Sequence, residues 1–298
     1  LSIPMDILRT KIDSHSNGYQ VAHLFRQPEM VDEVAYNALI QEMSGSKKIV
    51  LLLGSGCKNA MSNITELAER INAEITTTPC GKSWVSSYHS QYRGVFGFAS
   101  HSSAHEAVMA KDVDLIVAVG TSLGELSTSG WNKSLLNNKL IHISEVADDF
   151  SRSPMAKLHL VGDLKTIFKN LNNDLSVIQG KAGKQNDNLK LVNNKPKPEN
   201  HDGYLPKTLQ VREPEKCYSN AIPLKPQRVM RELAQRFPKE SRFLADAGNS
   251  WSWSIQYLLQ RSVGNHRFSL SFGAMGWAIG AAVGTSLSHL HLSKKPPV

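Results

Sequence analysis

The feature of this 298-residue sequence that most constrains its fold is a short, almost wholly apolar run that recurs along the chain. Such runs predict strands buried on both faces, because a strand with one solvated face alternates apolar and polar residues. Segments with helical periodicity lie between them, and this alternation predicts a parallel sheet with helices on both faces. The predicted strands are Ile49–Leu53, Glu74–Thr78, Asp114–Gly120, Lys139–Ser144 and Lys157–Asp163.

Helices and composition divide the chain into four parts. Residues 1–19 hold an isolated apolar strand and a connector, and residues 20–171 form a Rossmann-like α/β domain. Residues 172–225 are rich in Asn, Lys and Pro, which predicts a solvated polar linker. Residues 226–298 open an incomplete second α/β domain. The predicted helices are 28–43, 58–72, 104–111, 164–171 and 226–237, with 88–102 predicted as a loop.

A glycine loop, Gly54-Ser55-Gly56, follows the first strand of the central domain. The full dinucleotide fingerprint needs a third Gly three positions after the second, and Asn59 stands there. The loop could still bring backbone N–H groups to an anion at a helix N-terminus. A purely structural turn is the favoured interpretation.

The formal net charge of +8 is unevenly distributed. Residues 1–171 carry a net charge of −1, residues 172–225 carry +3, and residues 226–298 carry +6. The central domain is therefore neutral, and no basic stripe with interleaved aromatic residues indicates nucleic-acid binding. Three cysteines argue against a disulfide framework and for a reducing compartment, so we expect a cytoplasmic protein.

Few residues of the central domain are candidates for chemistry on spacing alone. Cys57 lies at a predicted helix start, where the helix dipole lowers a thiol pKa, but a small buried residue is the favoured interpretation. His101 and His105 have the i, i+4 spacing of a metal pair. No zinc-protease pattern accompanies them, which favours hydrogen-bonding histidines, and we predict no metal site in this chain.

The stretch 243–284 has the strongest pattern for a ligand site. An apolar strand ends in small polar residues, and a second segment leads into a helix on which Gly276, Gly280 and Gly284 share one face. Crevices at strand ends bind ligands in open α/β sheets. The alternative is a tightly packed buried helix. A membrane span is disfavoured because the apolar run 274–287 is shorter than the roughly 20 residues that cross a bilayer.

Two segments of this stretch resemble the diphosphate-binding domain of thiamine diphosphate enzymes, of the acetolactate synthase, pyruvate oxidase and 2-oxo acid decarboxylase type. The segments are Asp246-Ala247-Gly248-Asn249-Ser250-Trp251 and Phe272-Gly273-Ala274-Met275-Gly276-Trp277. The resemblance implies that Gly248, Asn249 and Ser250 contact the diphosphate. It also implies that Gly273, Ala274 and Met275 contact the rest of the cofactor: the Gly273 carbonyl accepts from the aminopyrimidine, and Met275 props the cofactor into its bent shape. The alternative for Met275 is a residue that fills a gap in the core.

Residues 20–171 resemble the central domain of the same family, which holds FAD, ADP or nothing in different members. Flavin-binding members usually carry Arg and Asp after the Val-Gly strand end and an acidic residue after the next strand. Here those places read Thr121-Ser122-Leu123-Gly124 and Ser144-Glu145, which argues against bound FAD. The matching segments are 53–56, 77–82, 94–97, 118–121 and 161–163.

The resemblance implies a lyase or carboligase that uses thiamine diphosphate and Mg²⁺, decarboxylates a pyruvate-like 2-oxo acid and transfers the product. It also implies a homo-oligomer that binds neither nucleic acid nor membrane. In the family, residues 1–7 would end a pyrimidine-binding domain, and a Gly-Asp-Gly metal motif would follow Val298. We therefore expect this chain to be an inactive fragment with no catalytic residue of its own. The alternative from another class is a non-catalytic Rossmann-like module that binds ADP or FAD.

Overall fold

The computed structural model describes residues 31–182, 203–270 and 273–292. The strand predicted at 1–7, its connector and much of the predicted linker lie outside these residues. The described residues belong to one compact unit, Val31–Val298.

A six-stranded parallel sheet is the centre of this unit, with the strand order β3-β2-β1-β4-β5-β6. The predicted α/β fold with a Rossmann-like parallel sheet is confirmed. Chain order reverses between β1 and β4, which is the topological switch point of such a sheet. The strands are β1 Ile49–Leu53, β2 Glu74–Thr77, β3 Tyr92–Val95, β4 Leu115–Val119, β5 Leu140–Ser144 and β6 Leu158–Val161.

Helices cover both faces of the sheet, as the apolar strands require. Successive residues of β1 point to opposite faces, so Leu51 and Leu53 pack in one core cluster, and Val50 and Leu52 in another. The first cluster takes most of its helical residues from α1, α2 and α4, and the second takes its helical residues from α3. These helices are α1 Glu33–Gly45, α2 Met61–Arg70, α3 Ser102–Met109 and α4 Leu164–Ala182.

A smaller α/β part follows the central sheet. It holds a two-stranded parallel sheet, in which Ala245 pairs with Phe268 at one end of the register. The sequence predicted the first of these strands and the glycine-rich helix, but predicted a loop where the short helix α6 lies. The elements are α5 Pro226–Arg236, β7 Phe243–Ala245, α6 Asn249–Tyr257, β8 His266–Phe268 and α7 Trp277–Leu292.

The structure corrects two predictions in the first 110 residues. The predicted loop 88–102 contains strand β3, which the sequence concealed because Gly94 and Arg93 interrupt its apolar pattern. The predicted helix 58–72 begins instead as a 3-10 helix, Ser55–Ala60, and continues as α2. The tight glycine loop delays the regular helix by several residues.

The predicted linker is only partly solvated. Its described residues include Tyr204, Leu209 and Cys217, which are all buried in the first core cluster. A few buried side chains hold this segment against the core although its average composition is polar. The linker prediction missed them because it used the composition averaged over the whole segment. Among the described residues, no helix is long and apolar enough to span a membrane.

Candidate functional site

The two segments that carry the resemblance lie at one edge of the small sheet. Asp246 follows β7 directly, and the segment that leads to Gly276 follows β8. Because β7 and β8 are parallel and in register, their carboxyl ends meet at the same edge. This is the edge at which open α/β sheets bind ligands.

Asp246 joins the two segments. One carboxylate oxygen accepts from the backbone N–H of Ala247 at 2.9 Å, and the other accepts from Gly276 N–H at 2.7 Å. The hydrogen bond from Ala247, followed by those from the first turn of α7, lowers the pKa of Asp246 below its usual value. The carboxylate is therefore ionised at neutral pH and lies at the positive end of the α7 dipole.

The N-terminus of α6 is open. Gly248 is its N-cap residue with φ +103°, a conformation that favours glycine, and a Cβ there would meet no atom of the described residues within 4 Å. Asn249 is exposed, and the Ser250 hydroxyl donates to the Asp246 carbonyl. The first N–H groups of a helix have no intrahelical partners and attract anions. These three residues fit a diphosphate group.

Gly273, Ala274 and Met275 form the other side of this surface. Gly273 has φ +70°, and a Cβ built on it would lie 3.3 Å from the indole of Trp251 on α6. Ala274 is exposed, and the Met275 side chain is 88% exposed. The alternative that Met275 fills a core gap is therefore wrong for the described structure. Trp251, which underlies the glycine turn, was not among the predicted site residues.

Helix α7 presents part of the bare face that the glycine spacing predicted. Gly280 and Gly284 lie on α7, whereas Gly276 precedes the helix with φ +89° and is not part of that face. A Cβ at Gly276, Gly280 or Gly284 would meet no atom within 4 Å, so the alternative of a tightly packed helix is wrong among the described residues. Ile279 and Val283 are also exposed, 73% and 56%.

A cavity of about 800 Å³ lies between the central sheet and α6. Loops after β3 and β4 line one side, and Trp253 and Gln256 of α6 line the other. His105 faces it, and burial, followed by the charge of Arg212, lowers the pKa of this histidine. The sequence did not predict this cavity, because its walls are far apart in the chain.

The glycine loop after β1 is structural, as favoured from the sequence. Gly54 N–H donates to the Val119 carbonyl at 2.8 Å, and Gly56 N–H donates to the Gly120 carbonyl at 2.9 Å. A Cβ at Gly54 would lie 2.2 Å from the Gly120 carbonyl oxygen. Backbone packing between the two loops therefore occupies these N–H groups at the switch point.

The other candidates of the central domain also have structural roles. Cys57 is fully buried, and burial raises the pKa of its thiol to about 12. Both ring nitrogens of His101 have hydrogen-bond partners, so it is not half of a metal pair. Within the part of the chain that the structure describes, no group of three or more His, Cys, Asp or Glu residues could hold a metal ion.

Comparison with known proteins agrees with the fold. Residues 36–171 match the family model described as "Thiamine pyrophosphate enzyme, central domain". This part of the chain, which contains the six-stranded sheet, is therefore similar to the central domain of that family. A solved structure of a putative thiamin diphosphate-dependent enzyme from Mycobacterium smegmatis is similar, with a TM-score of 0.62 at 18% identity over 89% of this chain and 47% of that chain.

Curated relatives are distant in sequence and longer. An acetolactate synthase large subunit from Cyanidium caldarium is 26% identical over 251 residues, which cover 82% of this chain and 39% of the relative. A probable acetolactate synthase large subunit from Methanococcus aeolicus is 23% identical, with 97% and 48% covered. A pyruvate decarboxylase from Neurospora crassa is 24% identical, with 86% and 41% covered. The chain thus spans about half the length, or less, of these relatives.

Proposed function

We propose that this chain is part of a thiamine diphosphate-dependent lyase or carboligase of the acetolactate synthase type, acting on a pyruvate-like 2-oxo acid. The observation that supports this most directly is the link between Asp246 and Gly276. It joins two segments 30 residues apart in the chain into one surface at the carboxyl ends of β7 and β8.

One side of this surface would bind the diphosphate. The N–H groups at the start of α6, near Gly248, Asn249 and Ser250, provide donors and the positive end of a helix dipole. When bound, thiamine diphosphate supplies the electron sink for loss of CO2 from a 2-oxo acid.

The other side would hold the cofactor's ring system. The Gly273 carbonyl would accept a hydrogen bond from the cofactor's aminopyrimidine, and the apolar Met275 side chain would pack against the cofactor. The exposure of Met275 leaves its side chain accessible to a ligand. This chain's contribution is to position the cofactor, since no side chain here is assigned to proton transfer.

For the whole protein we propose Mg²⁺ beside the diphosphate, a homo-oligomeric state and a cytoplasmic location. We also propose the division of the chain into the end of a pyrimidine-binding domain, a central domain, a linker and part of a diphosphate-binding domain. The 298-residue chain alone should release no CO2 from pyruvate with thiamine diphosphate and Mg²⁺ present. Turnover by this chain alone would contradict the expectation that it is an inactive part.

Flavin does not fit the central domain well. The carboxylate of Glu145, the acidic residue nearest the position that flavin-binding members use, accepts from Leu164 N–H at the start of α4 at 3.3 Å. The Thr121 carbonyl in the loop after β4 also has a partner, since it lies 2.7 Å from Nε2 of His142. These contacts support a central domain without FAD.

Titration calorimetry tests the proposed site. The chain should bind thiamine diphosphate more tightly than thiamine, because only the former carries the anion for the α6 N-terminus. Met275→Ala should weaken binding of both ligands about tenfold, since it removes roughly 1.5 kcal/mol of apolar contact. Asn249→Ala should weaken binding of thiamine diphosphate and leave binding of thiamine unchanged.

Val283→Ala is the matched control, because this exposed apolar residue lies on α7 two turns beyond the site. It should bind both ligands as the wild type does. Saturable binding of ADP or FAD, with no heat from thiamine diphosphate, would favour the alternative of a nucleotide-binding module in the 800 Å³ cavity.

A further inference from the structure

The C-terminal turn of α6 is held by side chains from distant parts of the sequence. A helix leaves its last four carbonyl groups without intrahelical partners. The ammonium group of Lys82 donates to the carbonyls of Ser254, Ile255 and Leu258, at 2.5, 2.6 and 2.9 Å. All three N–H groups of the lysine are therefore used by one helix end.

His101 binds a fourth carbonyl of the same turn. Its Nδ1 accepts from the backbone N–H of Val95 at the end of β3, at 3.0 Å. The ring is therefore the neutral tautomer with its proton on Nε2, and Nε2–H donates to the Gln256 carbonyl at 2.9 Å. This ring connects the central sheet to α6 directly.

A third side chain completes this cluster. The Tyr204 hydroxyl donates to the carbonyl of Tyr257, the last residue of α6. Lys82, His101 and Tyr204 are 3%, 0% and 1% exposed. Hydrogen bonds of a charged group strengthen when water is excluded, and a cation is favoured at the negative end of a helix dipole.

Burial lowers the pKa of Lys82 to about 7, well below its usual value. The three carbonyl oxygens oppose loss of the proton, because a neutral amine has only two N–H groups and would lose one of the three hydrogen bonds. Burying such a cation is costly unless all of its N–H groups have hydrogen-bond acceptors. The cost of burying this lysine therefore indicates that the end of α6 is held in a fixed position.

The two ends of α6 have complementary surroundings. Its C-terminus meets the buried cluster of Lys82, His101 and Tyr204, and at its N-terminus Gly248 and Asn249 are exposed and Ser250 is half-buried. A nine-residue helix is a rigid rod about 14 Å long. A shift or tilt at the held end therefore moves the open end.

We propose that Lys82 and His101 are positioning residues that fix α6 on the central domain and so hold its N-terminus in place for an anionic ligand. This role rests on the proposed function for the identity of that ligand, thiamine diphosphate. The central domain is then the support that orients the binding helix, in addition to any ligand of its own.

The test measures local opening and binding in the full 298-residue chain. Lys82→Met removes the charge and all three hydrogen bonds at similar length. Hydrogen exchange of the α6 amides should then accelerate about tenfold or more relative to the amides of β1 and β4. Loss of even one hydrogen bond to a charged group changes the equilibrium constant for local opening about tenfold. The Kd for thiamine diphosphate should rise by a similar factor.

His101→Gln is the second variant, in case Lys82→Met does not fold. The glutamine amide can still donate at the place of Nε2, so it should restore much of the protection that His101→Leu loses. Lys111→Met is the matched control, because this lysine is exposed on the central domain. It should leave exchange and binding unchanged.

Equal acceleration of all amides, or unchanged α6 exchange and affinity in Lys82→Met, would overturn the positioning role. The exchange measurement needs no ligand. A wild-type chain that does not bind thiamine diphosphate would therefore overturn the proposed function, while the exchange of α6 would still decide the role of Lys82 and His101.

Discussion

Gly81→Ala should lower the free energy of unfolding by about 3 kcal/mol, the upper end of the usual cost of forcing an extra methyl into a packed interior. A Cβ at this position would lie 2.0 Å from the Leu53 carbonyl oxygen and 2.9 Å from its carbon. Both are backbone atoms at the end of the central strand β1, so no flexible side chain can yield. Chemical denaturation, monitored by tryptophan fluorescence, measures the loss.

The position of Gly81 makes its substitution informative about the site as well. It precedes Lys82 in the 3-10 helix Pro79–Trp84, and its N–H donates to the Thr78 carbonyl at 3.0 Å. A displacement of this turn would move the lysine that holds α6. We therefore expect Gly81→Ala to accelerate exchange of the α6 amides too.

Gly45→Ala is the matched control. Gly45 ends α1, and within the described part of the chain a Cβ there would meet no atom within 4 Å. Alanine should leave stability unchanged or raise it by up to about 1 kcal/mol, because it reduces the entropy of the unfolded chain. Equal effects of the two substitutions would show that the close approach at Gly81 does not exist in solution.

Acid should destabilise the protein through His101. Burial, followed by the charges of Lys82 and Arg212, lowers the pKa of His101 from 6.5 to about 3. Between these values the unfolded chain binds a proton that the folded chain excludes. The contribution of neutral His101 to the free energy of unfolding is therefore complete above pH 6.5, and it is lost as the pH falls toward 3. From pH 7 to pH 5 the loss from this residue is about 2 kcal/mol.

Comparison of the wild type with His101→Gln isolates this contribution. The variant is less stable at pH 7, and the difference in unfolding free energy should shrink by about 2 kcal/mol at pH 5. Burial also lowers the pKa of His142 and His266, and these residues destabilise both proteins in acid alike. A difference that stays constant from pH 7 to pH 5 would show that folding does not lower the pKa of His101.

The central sheet was largely predictable because burial on both faces leaves a local signal. Strand β1 was predicted with the bounds that the structure has, and β4, β5 and β6 within two residues at each end. Strand β3 was not predictable in this way. Its Tyr92 and Val95 are buried, but Gly94 has φ +101° and breaks the pattern, so pairing with β2 decides its conformation.

Site residues were found by motif and not by periodicity. Gly248, Asn249, Ser250, Gly273, Ala274 and Met275 were named from a resemblance, and the structure leaves their ligand contacts as a proposal. Short helix α6 was missed because its apolar residues follow no clear helical stripe. Packing of its C-terminal turn against the central domain stabilises it.

The sequence by itself determined the elements that have a local signal: strands β1, β2, β4, β5 and β6 through their apolar or β-branched runs, and the glycine face of α7 through its spacing. Tertiary structure alone decided which distant groups meet. Lys82 and His101 are separated from α6 by more than 140 residues, and Asp246 from Gly276 by 30. The one-letter code of a residue does not show whether its carbonyl or N–H group has a hydrogen-bond partner. Only the folded chain shows which group that partner is.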